Sequence, residues 1–138
     1  VANVAGVTYV NDSKATNVAA TLKALTAYRR GDHLILGGSS KGLDYDNLAQ
    51  AASGPGVNEV ILIGEAANDI AASFDLVGGE VLMAGGLERA LVIARENAET
   101  GDVVLLSPAC ASLDQYDNYE QRGAHFVNLV NGMESRGD

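Results

Sequence analysis

Five strand-like runs recur along this chain, each followed by a stretch with helical spacing, and that alternation restricts the fold more than any other feature. The strands read as Val7 to Val10, Leu34 to Leu36, Val60 to Ile63, Glu80 to Ala84 and Asp102 to Leu106. The helices between and after them read as Val18 to Tyr28, Tyr45 to Ala52, Ala66 to Phe74, Gly86 to Ala98 and Asn118 to Met133. Val18, Leu22 and Leu25 share one face of the first helix, and Phe126, Leu129 and Val130 point inward from the last. Strands that alternate with helices imply crossover connections and a parallel sheet. Continuous rather than alternating apolar strands imply helices on both faces. Gly37, Gly64 and Gly85 follow three of the strands, where the backbone must turn sharply. The expectation is one doubly wound α/β domain over residues 1–138.

Bulk properties narrow the class. A chain of 138 residues is the size of one domain, and such a globule buries roughly 68% of the surface its unfolded chain exposes. Its hydrophobic content of 47% contains no run long enough to span a membrane. No basic and apolar leader is visible, and a single cysteine fits a reducing compartment, so a cytoplasmic location is expected. The net charge of −9 argues against nucleic acid as a partner, although a few lysines in a cleft still suit a small anion. The chain begins at Val1 without an initiator methionine, which reads as a piece of a longer protein.

Chemistry concentrates in loops that follow strands, where open α/β sheets bind ligands. Asn11-Asp12-Ser13-Lys14-Ala15-Thr16-Asn17 places an acid, a base and two hydroxyls together. Asn17 or Thr16 can cap the next helix, while Lys14 and the helix amino terminus can face an anion. Gly37-Gly38-Ser39-Ser40-Lys41-Gly42 is not a phosphate loop, because that motif needs glycine directly before the lysine and a hydroxyl after it. It remains a glycine-serine loop that carries a lysine. Ser107-Pro108-Ala109-Cys110-Ala111-Ser112-Leu113 has little side-chain bulk to block backbone amides, and Ser112 with Gln115 has capping-box spacing.

Other reactive residues read as structural. Cys110 lacks an evident cationic partner and reads as small-residue packing rather than a nucleophile. His33 sits beside Asp32 at a strand entrance, away from the ligand edge, and His125 lies on the last helix, so no zinc site is expected. Asp44 and Asp46 read as a solvated turn capping the next helix.

These segments, with Asp114, Gln115 and Asn118-Tyr119-Glu120-Gln121-Arg122-Gly123, resemble the carboxy-terminal domain of the Mur ligases. Within that family they are similar to the branch that adds D-glutamate to UDP-N-acetylmuramoyl-L-alanine in peptidoglycan synthesis. The resemblance implies a mainly parallel six-stranded sheet of Rossmann type. It implies an enzyme that uses ATP and magnesium to form an acyl phosphate, which the D-glutamate amine then attacks. By the same resemblance Thr16, Lys41, Ser112 and Leu113 would hold the two carboxylates of D-glutamate, and Tyr119 would contribute through its backbone. Asp12 and Lys14 would be the catalytic pair facing the nucleotide or the transferring phosphate. The uridine-substrate and ATP domains, with the magnesium ligands, would lie upstream. The chain alone would then be a monomer that turns nothing over.

Three rivals compete with this reading. A receiver domain would need an acidic pair after the first strand and an aspartate after the third, where Gly64-Glu65 stands. A flavodoxin-like binding module would not need Lys14, Lys41 and Ser112 to converge. Another Mur or folylpolyglutamate-type ligase would differ in the amino acid that stimulates turnover.

Overall fold

Continuous burial along the central strands decides the architecture. The computed structural model describes residues 2–39 and 42–135. Its strands are β1 (Ala2–Val4), β2 (Val7–Asn11), β3 (Asp32–Gly37), β4 (Val57–Ile63), β5 (Leu82–Gly85) and β6 (Val103–Leu106). Its helices are α1 (Val18–Ala27), α2 (Asp46–Ala52), α3 (Ala67–Leu76), α4 (Leu87–Asn97) and α5 (Tyr119–Ser135). The strands form one sheet in the order β1-β2-β6-β3-β4-β5, parallel except for the β1–β2 pair.

Leu34, Leu36, Val60, Leu62, Val103 and Leu105 face one side of the sheet, where they pack with Leu25, Leu48, Ile70 and Phe74 of α1 to α3. Ile35, Ile61, Ile63, Val104 and Leu106 face the other, against Leu91, Phe126 and Val130 of α4 and α5. Successive strand residues point to opposite faces, so a sheet covered twice needs apolar residues at every position. The doubly wound reading therefore holds, and so does the sixth strand that the family resemblance implies. The apolar runs alone yield five. β1 is only three residues long and forms a hairpin through Ala5 and Gly6, too short to leave a periodic signal.

The helical faces hold as well. Leu25, Phe126 and Val130 are buried, while Val18, Leu22 and Leu129 are partly buried against the same clusters. Gly37, Gly64 and Gly85 have φ of +126°, +73° and +80°, a region that favours glycine.

The amino-terminal edge of the sheet carries its own polar cluster. The His33 ring lies 2.6 Å from Glu59 and 2.8 Å from Asp102, far from the strand ends that bear the loops. Burial pushes the Asp102 carboxyl up, but bonds from the Glu99 amide, His33 and Asn58 outweigh it and hold it below its ordinary value. Neighbouring Asp32 is fully buried and its Oδ2, among the described residues, has no hydrogen-bond partner. Burial pushes its carboxyl up to about 6, against the pull of the Arg30 amide and of Arg29 and Arg30.

A carboxyl raised in the folded state binds its proton more tightly there, so its contribution favours folding at low pH. That contribution is lost as pH climbs from the unfolded value of 3.8 to about 6, a swing of about 3 kcal/mol. Asp32→Asn is accordingly expected to match the native chain near pH 4 and to exceed it in melting temperature at pH 8. Thermal denaturation across that range checks this; an equal difference at both ends would contradict it.

Candidate functional site at the carboxyl ends of the strands

Three loops leave the carboxyl ends of adjacent strands and are tied to one another by hydrogen bonds. The first spans residues 12–17 after β2, the second follows the end of β3 at Gly37, and the third spans 107–118 after β6. The Asp12 amide donates to the Leu106 carbonyl at 2.7 Å, and the Ala109 amide to the Ala15 carbonyl at 2.9 Å, joining the first loop to the third. The Gly37 and Ser39 amides donate to the Pro108 and Ala111 carbonyls at 2.9 and 2.8 Å, joining the second to the third. The Asp114 amide completes the set by donating to Ser39 Oγ at 3.0 Å. Ala109 holds this arrangement at φ +66°, a conformation unusual for a residue with a Cβ and tolerated where the surroundings enforce it.

Helix α5 reaches back into the same place. Arg122, in its first turn, is 1% exposed. Its Nε donates to Ser13 Oγ at 2.9 Å and its Nη2 to the Ser13 carbonyl at 2.8 Å. The Ser13 hydroxyl in turn donates to the Tyr119 carbonyl at 2.7 Å. Gly123 permits this approach, since a Cβ there would lie 2.9 Å from Asn11 Nδ2. Burial lowers the Arg122 pKa, opposed by Cys110, Asp114 and Tyr116. Sequence reasoning included Arg122 and Gly123 only as part of a motif. The closeness of α5 to the first loop was the missing element, and no local pattern encodes it.

The residues singled out from sequence fall into distinct settings. Asp12 accepts a hydrogen bond from Ser107 Oγ at 2.8 Å, which fixes one carboxylate oxygen. Asp12 and the exposed Lys14 line a groove of about 610 Å³ between the end of β2 and α1, together with Lys23 and Tyr28. Thr16 is half-buried at the end of the first loop. Ser112 is buried in the third loop, while the Leu113 side chain is 66% exposed. Tyr119 begins α5, with its carbonyl engaged by Ser13 and its ring exposed. Lys41 lies outside the described residues. The structure thus brings together the backbones that carry Asp12, Lys14, Ser112 and Tyr119.

Asn17 caps α1, its Oδ1 accepting from the Ala20 amide at 2.9 Å. The capping box expected at Ser112 and Gln115 does not form. The Ser112 carbonyl accepts the Gln115 and Tyr116 amides in a turn that goes no further. The Gln115 side chain donates to the Gly85 carbonyl at 2.9 Å instead of returning to residue 112. The cap of α5 is Asn118, whose Oδ1 accepts from the Gln121 amide at 2.8 Å. Asp44 and Asp46 are exposed, and the Asp44 carboxylate accepts from the Asp46 amide at the start of α2. Cys110 is buried in the core with its sulfur 3.4 Å from the Tyr45 hydroxyl, the packing role expected of it.

Comparison with known proteins finds relatives that align with most of this chain. A UDP-N-acetylmuramoylalanine–D-glutamate ligase of Koribacter versatilis is 50% identical over 136 residues, covering 96% of this chain and 28% of the relative. Relatives of the same name from Natranaerobius thermophilus and Chlamydia muridarum are 47% and 49% identical, covering 91% and 94% of this chain and 27% and 30% of their own lengths. The chain therefore spans under a third of the relatives it matches. Two solved structures share the fold. One is a domain from a Haemophilus ducreyi protein described as a UDP-N-acetylmuramate:L-alanyl-gamma-D-glutamyl-diaminopimelate-type ligase, with a TM-score of 0.57 at 12% identity over 99% of this chain and 96% of that domain. The other is a UDP-N-acetylmuramate-alanine ligase from Thermotoga maritima, with a TM-score of 0.52 at 14% identity over 90% of this chain and 26% of that protein. Residues 1–110 match the family described as Mur ligase, glutamate ligase domain, and the chain belongs to that family.

Proposed function

We propose that this chain is the amino-acid-binding domain of a cytoplasmic, monomeric, ATP-dependent ligase that adds D-glutamate to UDP-N-acetylmuramoyl-L-alanine. One observation carries the reading: three small-residue loops at the strand ends are hydrogen-bonded into one unit that holds hydroxyls, amides and a lysine. A dicarboxylic amino acid needs fixed donors at two points, and charge-assisted bonds serve it best. Thr16, Lys41, Ser112 and Leu113 are assigned to its two carboxylates. The Tyr119 carbonyl is occupied, so its backbone contribution is the N–H, one of the open amides at the start of α5.

The chemistry assigned to the whole enzyme is amide formation from an acyl phosphate. The D-glutamate nitrogen forms the new C–N bond, the bond from acyl carbon to phosphate oxygen breaks, phosphate leaves and the amine sheds its proton. This domain's share is to hold the amine in attack geometry, which can contribute about 7–11 kcal/mol. Lys14 would face the phosphate oxygens as charge develops on them, with Asp12, held by Ser107, orienting that lysine or a sugar hydroxyl. Among the described residues no group of three or more His, Cys, Asp or Glu side chains is arranged to hold a metal ion, and no step is assigned to magnesium here. Among the described residues no helix is long and apolar enough to cross a membrane.

The test is phosphate release by the full-length ligase with UDP-N-acetylmuramoyl-L-alanine, ATP and magnesium, comparing D-glutamate with L-glutamate, L-lysine and meso-diaminopimelate. Turnover with D-glutamate alone is expected; preference for another amino acid would overturn the reading. The isolated chain is expected to bind D-glutamate at millimolar level or undetectably in a calorimetric titration. It is also expected to hydrolyse no ATP, and hydrolysis by the pure domain would contradict the division of labour.

A further inference from the structure

Arg122 is a buried cation with an incomplete set of partners. Two of its nitrogens bond to Ser13, but Nη1, among the described residues, has no hydrogen-bond partner. Both groups it bonds are neutral, the hydroxyl and the carbonyl of one serine. Asp114 acts on it electrostatically without bonding it; its Oδ2 accepts from the Glu65 amide at 3.0 Å, and its buried Oδ1, among the described residues, has no hydrogen-bond partner. The second loop passes close by at Gly38, where an added Cβ would lie 3.2 Å from Nη1. The guanidinium therefore sits behind all three loops at once, where a buried charge is costly unless something negative offsets it.

We infer that Arg122 is a positioning residue for the incoming amino acid, pinning the first loop and the start of α5 through Ser13 while leaving positive charge under a pocket built for a dianion. The inference rests on the proposed function. Arg122 does not touch the substrate in this scheme. It sets where the Tyr119 backbone stands relative to Thr16 and Ser112, and a bound dicarboxylate offsets its charge. A lysine retains the charge but not the planar fork that grips both Ser13 oxygens.

The experiment is steady-state kinetics on the full-length ligase with Arg122→Met, Arg122→Lys and Ser13→Ala, varying D-glutamate and ATP separately. Charge-assisted hydrogen bonds are worth about 10- to 100-fold in binding. Arg122→Met is thus expected to raise KM for D-glutamate by about 30- to 100-fold, with KM for ATP changed by about twofold at most. Arg122→Lys should recover part of that loss, and Ser13→Ala, which removes one neutral link, should raise the same KM by roughly fivefold. An unchanged KM for D-glutamate in Arg122→Met would overturn the inference. So would a parallel rise in both KM values, which marks a merely structural role. Should Arg122→Met fail to fold, Arg122→Lys and Ser13→Ala decide it by the same split. If the wild-type enzyme uses an amino acid other than D-glutamate, the proposed function fails and the inference falls with it. If it uses D-glutamate and the variants behave as wild type, only the inference fails.

Discussion

Lys14→Ala in the full-length ligase is expected to lower kcat/KM by roughly a thousandfold while leaving the fold intact. The lysine side chain is exposed beside the groove at the end of β2 and supports no part of the core. Its removal should therefore cost little stability, since surface substitutions away from packed features fall within about 0.5 kcal/mol. Its proposed work is electrostatic, on phosphate oxygens whose charge changes during amide formation. Removing one preorganised donor from such a position costs about 100- to 1,000-fold in rate. The loss should lie mainly in kcat, because the interaction matters most once charge has developed. Phosphate release at saturating ATP and D-glutamate, with a melting curve on the same preparation, checks both halves. A variant within fivefold of the parent rate would remove Lys14 from the mechanism.

Gly37→Ala is expected to destabilise the domain by roughly 3–5 kcal/mol, combining an overpacking clash with a forbidden backbone conformation. Gly37 ends β3 with φ +126° in the middle of the sheet, and a Cβ there would stand 1.9 Å from the Ile63 carbonyl oxygen of β4. That oxygen belongs to the backbone at the buried carboxyl-terminal end of β4 and cannot swing aside. A loss of this size corresponds to a fall of roughly 10–20 °C in melting temperature. Gly101→Ala supplies the contrast: φ is +98°, yet no heavy atom lies within 4 Å of the added carbon, so only the conformational cost of about 1–2 kcal/mol applies. Calorimetry on both variants separates clash from torsion, and equal losses would show that the clash relaxes.

Much of the architecture is legible in the chain because its signal is local. Val103-Val104-Leu105-Leu106, short, continuously apolar and β-branched at its start, reads as a strand buried on both faces, and it is one, lying between β2 and β3. The capping residue Asn17 and the turn glycines 37, 64 and 85 also announce themselves, since each answers a backbone need within a few residues. Ser112 misleads for the opposite reason. Its spacing to Gln115 is that of a cap, but Gln115 finds the Gly85 carbonyl, a partner 30 positions away.

The candidate site divides along the same line. The loop residues Asp12, Lys14, Thr16 and Ser112 stand out because small and polar residues directly after strands are conspicuous. Their mutual placement is another matter. It depends on Arg122 reaching Ser13 across 109 positions and on Ser107 reaching Asp12 across 95. By itself, then, the sequence determined which elements form, the short β1 excepted, that both faces of the sheet are covered, and where along the chain the polar loops fall. Periodicity, capping and glycine torsions are properties of neighbouring residues. Only the tertiary structure decided that α5 closes onto the first loop, that Gln115 turns to the Gly85 carbonyl instead of closing a capping box with Ser112, and that a buried guanidinium sits behind the three loops. Those are choices between distant partners, and they are made by packing.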